Sequence, residues 1–464
     1  MTDPGASLLL RNVDIRGMPE DCRVVGGTVA ELGTRLARQH GEAVVDGLGG
    51  ALLPGLADHH VHLGAMAARA RSVDAAGLSR SALGRALAGA AVQAGGWVRV
   101  IGYDDVAHGA LDRPVLDMWR NDVPVKVQHR SGALWVVNSA GLRALGPPPD
   151  SPGVERDAVG LPTGRLWRCD AWLRGRGDEP PPDLREVGAR LASYGITRVT
   201  DATPDPGPAE LLAGAVERGE LPQRVMSMAS AVPTGTGLVV GPVKLVVTDH
   251  ALPDLADLIG RIRDAHGAGR AVAVHCVTRT ALALTLAALD AAGTVPGDRV
   301  EHCAVADPAA VGEVAARGLR VVTQPTLVTL RGDDYWDRSE PIDRPDLWRY
   351  GSLLRAGVRA APASDAPYGD PDPWACLRAA AERRTAGGRV LGARERVPPS
   401  RVLKAMLAPL ADPGGLPRRV VPEAPADLIL LDRPLVDALR APDARHVRLT
   451  MIGGRLVHGE GADR

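Results

Sequence analysis

Leu53-Pro54-Gly55-Leu56-Ala57-Asp58-His59-His60-Val61-His62-Leu63 is the stretch whose reading decides the fold. It is a short apolar strand released by a Pro-Gly turn, and it ends in a His-x-His pair. Residues at i and i+2 of a strand face the same side, so the imidazoles of His60 and His62 can reach one point in space. Alone, such a pair is equally at home at a solvent-facing strand end. Its weight comes from the later chain, which supplies in order a lysine within a strand, two more strand-end histidines and a strand-end aspartate.

From Leu184 onward the chain alternates helical and strand-like patterns. The strands are read at Thr197 to Asp201, Arg224 to Met228, Val243 to Val247, Ala271 to His275, Arg299 to His302, Leu319 to Thr323 and Val358 to Ser364. With Leu56 to His62 they make eight, the count of a (β/α)8 TIM barrel, in which chemistry sits at the C-terminal ends of the strands. An open doubly wound sheet is the alternative, but no Gly-x-Gly-x-x-Gly follows a first strand.

Lys244 is embedded in the apolar run Val243-Lys244-Leu245-Val246-Val247, where a charge is costly unless paired or modified. It either snorkels to the strand end or serves a metal, as an amine near an anion or as a carbamate bridging two ions. His275 closes Ala271-Val272-Ala273-Val274-His275 and His302 closes Arg299-Val300-Glu301-His302, where a barrel presents them inward. Each alone reads as a hydrogen-bonded core histidine; two on consecutive strands, downstream of His-x-His, read as ligands. Cys276 and Cys303 should point away and pack. Asp365, after Ala361-Pro362-Ala363-Ser364, either caps a turn or binds a metal and moves a proton between water and a leaving group. This His/Lys/His/His/Asp set suits Zn²⁺ or a similar divalent ion, as one ion or two.

Both ends of the chain show period-2 patterning: Ser7 to Val13, Cys22 to Val29 and Glu42 to Val45 at one end, Ala426 to Asp432, Val447 to Met451 and Arg455 to Val457 at the other. They are expected to meet in a small β-sandwich. The expected organisation is a first sandwich part (1–53), the first barrel strand (54–63), a long insert (64–183), the rest of the barrel (184–412) and a second sandwich part (413–464). The insert is read as a lid or substrate-binding subdomain, with a helix over Ser79 to Gly95, a strand at Trp97 to Gly102, a segment Pro124 to His129 that leads into Leu134 to Ser139, and loops at Pro147 to Gly164 and Glu179 to Pro182.

The 464 residues carry 55 Lys+Arg against 55 Asp+Glu, so neither nucleic acid nor an anionic membrane is the expected partner. No apolar run is long enough to span a membrane, and Met1 to Gly5 opens no signal peptide. The five cysteines show no Cys-x-x-Cys spacing and suit reduced, buried thiols in a cytoplasmic protein. With no phenylalanine, aromatic packing falls to eight Trp and five Tyr. The expected partner is a small-molecule substrate; self-association into a homodimer is left open.

On the His-x-His stretch, Val137-Asn138-Ser139-Ala140-Gly141-Leu142, Gly195-Ile196-Thr197-Arg198-Val199-Thr200-Asp201, Ala273-Val274-His275, Val300-Glu301-His302, Ser364-Asp365-Ala366-Pro367 and Pro425-Ala426-Asp427-Leu428, the chain resembles the amidohydrolase superfamily, and within it the amidohydrolase-3 (YtcJ-like) branch. The resemblance implies a barrel with a β-sandwich and metal-dependent hydrolysis of an amide or other C–N bond of a small organic molecule by metal-activated water. It implies His60, His62, Lys244 as a carboxylated lysine, His275, His302 and Asp365 as ligands, with Asp365 also the general acid/base. Arg130, Asn138 and Arg168 are candidate substrate contacts. A heterocycle aminohydrolase of the same superfamily is the alternative, though Thr278 stands where those enzymes place a glutamate. A non-catalytic metal- or ligand-binding relative is the third reading.

Overall fold

The computed structural model describes residues 7–93, 95–173, 176, 183–249 and 252–459. The start, Met1 to Gly5, and the Glu179 to Pro182 run lie outside the described residues. The fold is mixed α/β and divides into two compact units, one of Met1–Gly64 with Leu184–Arg464 and the other of Ala65–Asp183.

In the first unit, the strands Val239–Val240, Arg224–Ser227, Ile196–Asp201 and Leu56–Val61 form one sheet in that order. A second runs Val243–Val246, Val272–Cys276, Arg299–His302, Arg320–Thr323 and Ala360–Pro362. Every pairing within both sheets is parallel. Helices such as Leu255–Gly267, Arg279–Ala292 and Pro308–Ala316 return the chain between successive strands, as parallel pairing requires. Asp254, Thr278 and Asp307 cap these three helices with their side chains. The two sheets meet along both margins: Asp365 N donates to His60 O at 2.8 Å, and Lys244 N donates to Met228 O at 2.9 Å.

The Pro54-Gly55 turn is required by close packing. A Cβ on Gly55 would lie 2.0 Å from Thr197 Cγ2 of the neighbouring strand, so only glycine lets Leu56–Val61 enter its sheet here. All six residues of that strand are buried.

The two ends of the chain build two further four-stranded sheets. One has the order Thr28–Gly33, Met18–Val25, Leu8–Ile15, Ala43–Asp46; the other Arg455–His458, Val447–Ile452, Leu428–Leu431, Leu52–Pro54. Leu10, Val13, Val24, Leu52, Leu428, Leu430 and Met451 share one apolar cluster, and each such buried side chain contributes about 1.5–3 kcal/mol. The run Cys22 to Val29, read as one strand, is two: Gly26 and Gly27 adopt φ of 57° and 82° and turn the chain between Met18–Val25 and Thr28–Gly33.

The second unit is a six-stranded sheet carrying short helices, with the order Val154–Arg156, Pro162–Trp167, Leu134–Val137, Val125–His129, Val98–Tyr103, Val73–Asp74. The Pro147 to Gly164 stretch, expected to be loop, contributes two of these strands. Its Pro and Gly mark the turns, while antiparallel pairing of Trp135 with Leu166 and of Val154 with Leu166 supplies the ladder. The helix expected over Ser79 to Gly95 is shorter, Arg80–Ala88, with Ser79 as its cap.

All five cysteines are free and buried. Among the described residues, no helix is long and apolar enough to cross a membrane.

Candidate metal centre

The site is built at the meeting line of the two parallel sheets. Asp58 Oδ1 accepts the backbone N–H of His60 at 3.1 Å and that of Ser364 at 3.2 Å, clamping the His60 strand to the chain that carries Asp365. Burial raises the Asp58 carboxyl to about 6. His62 N donates to Ala366 O at 2.8 Å. Asp365 itself adopts φ of 54°, a left-handed conformation that aspartate tolerates better than most residues.

His60 Nε2 and His62 Nε2 each lie 3.4 Å from Asp365 Oδ1, and the potential ligand atoms of these three residues all fall within 4.8 Å of one another. Lys244 Nζ is 3.5 Å from His60 Nε2. His302 Nδ1 lies 3.9 Å from Asp365 Oδ2. The His302 ring centroid is 5.0 Å from that of His60 and 4.4 Å from that of His275. The six residues singled out in the sequence thus form one continuous cluster, tightest at His60, His62 and Asp365 and extending through His302 to His275. Solvent meets it from one side, because the side chains of His62 and Asp365 are 19% and 10% exposed against 1% for His60.

The electrostatics suit a cation. Burial, reinforced by Lys244 for His60 and by His275 for His302, holds both imidazoles well below their ordinary range, so they carry lone pairs instead of charge. Burial likewise lowers the Lys244 ammonium. His302 Nε2 is buried without a hydrogen-bond partner. A cluster of neutral imidazoles and a carboxylate, with an unmatched buried nitrogen, fits a divalent ion of the Zn²⁺ type.

Around this cluster stand residues that sequence reasoning missed. Glu301 Oε2 accepts from His60 Nδ1. Thr203 Oγ1 lies 3.2 Å from His62 Nδ1, and Gln324 Oε1 lies 2.9 Å from His302 Nδ1. Asp201 accepts from the backbone N–H of Leu63 and of Thr203 at 2.8 and 3.1 Å, tying the residue after His62 to the one that meets its ring. Glu301 and His302 are consecutive, and strict strand alternation would point them to opposite faces. His302 adopts φ of 69°, which ends the alternation and lets both reach the site. The signal available in the sequence was Arg299-Val300-Glu301, two opposite charges two apart in a buried strand.

The three candidate substrate contacts belong to the second unit. Arg130 pairs with Asp104 at 2.7 Å, and Arg168 is exposed with φ of 52°. Asn138 is corrected. Its side chain is fully buried, its Oδ1 accepts from Val125 N and Gly141 N, and its Nδ2 donates to the carbonyls of Arg120 and Val123. With all four polar positions matched inside the unit, Asn138 caps the Ser139–Leu145 helix and has none left for a substrate.

The amidohydrolase family model matches residues 43–458. The chain belongs to the amidohydrolase family. An N-substituted formamide deformylase from Arthrobacter pascens is 26% identical to this amidohydrolase over an alignment 513 positions long, which covers 92% of this chain and 93% of the relative. An uncharacterized metal-dependent hydrolase from Pyrococcus horikoshii OT3 has the same fold, with a TM-score of 0.77 at 19% identity over 98% of this chain and 100% of that one. Another from Pyrococcus furiosus gives 0.72 at 20% identity, over 92% and 99%. This amidohydrolase is a hydrolytic enzyme acting on carbon–nitrogen bonds.

Proposed function

We propose that this amidohydrolase cleaves an amide or related C–N bond of a small organic molecule, using Zn²⁺ held by His60, His62 and Asp365 and completed by Lys244, His275 and His302. The observation that carries the reading is the convergence of His60 Nε2 and His62 Nε2 on Asp365 Oδ1 at 3.4 Å each. The parallel strands of the two sheets, Val239–Val240 set aside as a two-residue addition, number eight; joined at both margins by Asp365 N to His60 O and Lys244 N to Met228 O, they are read as a (β/α)8 barrel with the cluster at its C-terminal rim. The two sheets built from the chain ends are read as the accessory β-sandwich.

When bound, the divalent ion supplies Lewis acidity, lowering the pKa of water and polarising a carbonyl. The Asp365 carboxylate, on the solvent-facing side of the cluster, takes the proton of the attacking water and returns it to the departing nitrogen. His60 and His302 stay neutral through burial, and each has an acceptor at its second nitrogen, Glu301 and Gln324. Burial shifts Lys244 toward the neutral amine, the form that adds to carbon dioxide, which is the direction a carbamate at this position needs. Arg130 and Arg168 are kept as candidate substrate contacts.

The likeness to a formamide deformylase makes N-formyl and N-acyl amines the first compounds to test. The heterocycle-deaminase reading gains nothing at its diagnostic position: Thr278 accepts from Ala281 N to cap a helix and donates to Asp249. The test is a turnover screen of such amides with Zn²⁺-loaded protein and an Asp365→Asn control. Release of amine by the wild type alone supports the reading; equal release by both contradicts it.

A further inference from the structure

Beneath the metal cluster lies a buried relay, Arg299 to Glu301 to His60. Arg299 is 1% exposed and Glu301 is 0% exposed. Arg299 Nε donates to Glu301 Oε1 at 2.5 Å, while its Nη2 donates to His59 O at 3.1 Å and approaches Met228 Sδ at 3.5 Å. The other carboxylate oxygen, Oε2, meets His60 Nδ1. Each oxygen of Glu301 therefore has its own partner, on opposite sides of the carboxylate.

A neutral imidazole has one N–H and one lone pair, and an ionised carboxylate can only accept. With Glu301 at Nδ1, the proton sits on Nδ1 and the lone pair on Nε2. Nε2 is the atom that lies 3.4 Å from Asp365 Oδ1. We propose that Glu301 is a positioning residue of the metal centre, holding His60 in the tautomer and ring orientation that turn its Nε2 lone pair toward His62 and Asp365. This rests on the metal-hydrolase reading above. At Nδ1, His62 meets the Thr203 hydroxyl and His302 meets the Gln324 carboxamide, whereas His60 meets the Glu301 carboxylate.

On this reading glutamine is a poor replacement for Glu301. A carboxamide has one oxygen to share between Arg299 and His60. If Arg299 takes it, the amide NH₂ faces Nδ1 and moves the imidazole proton to Nε2, the nitrogen needed as ligand. Removing the competing guanidinium frees that oxygen for His60.

The experiment is titration of chelator-stripped protein with Zn²⁺ and Co²⁺, following affinity and the visible spectrum of the Co²⁺ form, with melting of the metal-free protein as a folding control. Glu301→Gln is expected to weaken binding about 10–100-fold and to alter the Co²⁺ bands, and R299M/E301Q to regain part of both. Wild-type affinity and bands in E301Q overturn the role of Glu301 and leave the metal reading standing. Wild-type protein that binds neither ion overturns both. Where E301Q folds poorly, two uncharged double variants decide: R299M/E301Q is expected to bind Zn²⁺ about tenfold tighter than R299M/E301L, and equal affinities overturn the proposal.

Discussion

Asp365 Oδ1 stands equidistant from two imidazole nitrogens, 3.4 Å from His60 Nε2 and 3.4 Å from His62 Nε2. In the proposed mechanism this carboxylate serves as both ligand and proton carrier. Replacing it by asparagine keeps an oxygen in nearly the same position and removes the basicity. Asp365→Asn is therefore expected to lower kcat by about 10²–10⁴-fold while elemental analysis still finds most of the metal. Loss of activity and metal in equal measure would show Asp365 acting as a ligand only.

Lys244 Nζ lies 3.5 Å from His60 Nε2 with its side chain buried. Protein incubated with ¹³C-bicarbonate is expected to show a carbamate carbon by NMR, and Lys244→Ala to lose that signal together with part of its metal. A wild-type spectrum without the resonance, from metal-loaded protein, removes carboxylation from the reading.

Removal of the ion should reach stability as well as activity. A ligand bound only by the folded state at a hundredfold excess over Kd stabilises by about 2.7 kcal/mol. Chelation is expected to abolish turnover and lower Tm, and Zn²⁺ to restore both; a Tm indifferent to chelator and Zn²⁺ contradicts a structurally integrated ion.

Asn138 and the two arginines should separate cleanly. Asn138→Ala leaves Val125 N and the carbonyls of Arg120 and Val123 without their partner, at a cost of about 1–3 kcal/mol, and is expected to lower stability with KM unchanged. Arg130→Ala and Arg168→Ala are expected to raise KM with little effect on stability. Denaturant melts and steady-state kinetics on the three variants check the assignment.

Leu430 and Leu52, far apart in sequence, share the cluster that joins the two ends of the chain. Leu430→Ala is expected to cost about 2–5 kcal/mol by urea unfolding, with kcat retained in the folded fraction. A cost under about 1 kcal/mol would place this cluster outside the cooperative core.

Much of this was legible in the sequence because it is local. The eight strand signals are short apolar runs bounded by turn residues, and His60, His62, Lys244, His275, His302 and Asp365 each lie within such a run or at its end. What escaped is what no window contains. The Glu301–His60 contact joins residues 241 apart, Gln324 reaches His302 from the next strand, and His302 breaks the alternation that would have separated it from Glu301. The Val154–Arg156 and Pro162–Trp167 strands were hidden for a related reason: their Pro and Gly signal turns, and only pairing with a strand elsewhere makes the segments between them extended. Asn138 misled in the other direction, since an asparagine beside a serine looks the same whether it caps a helix or greets a ligand.

The most direct measurement is a crystal structure of the purified protein with diffraction collected on both sides of the zinc absorption edge. The expected map has an anomalous peak in contact with His60 Nε2, His62 Nε2 and an Asp365 carboxylate oxygen. A zinc-supplied crystal with no anomalous peak among those three residues contradicts the metal centre and the hydrolytic mechanism built on it.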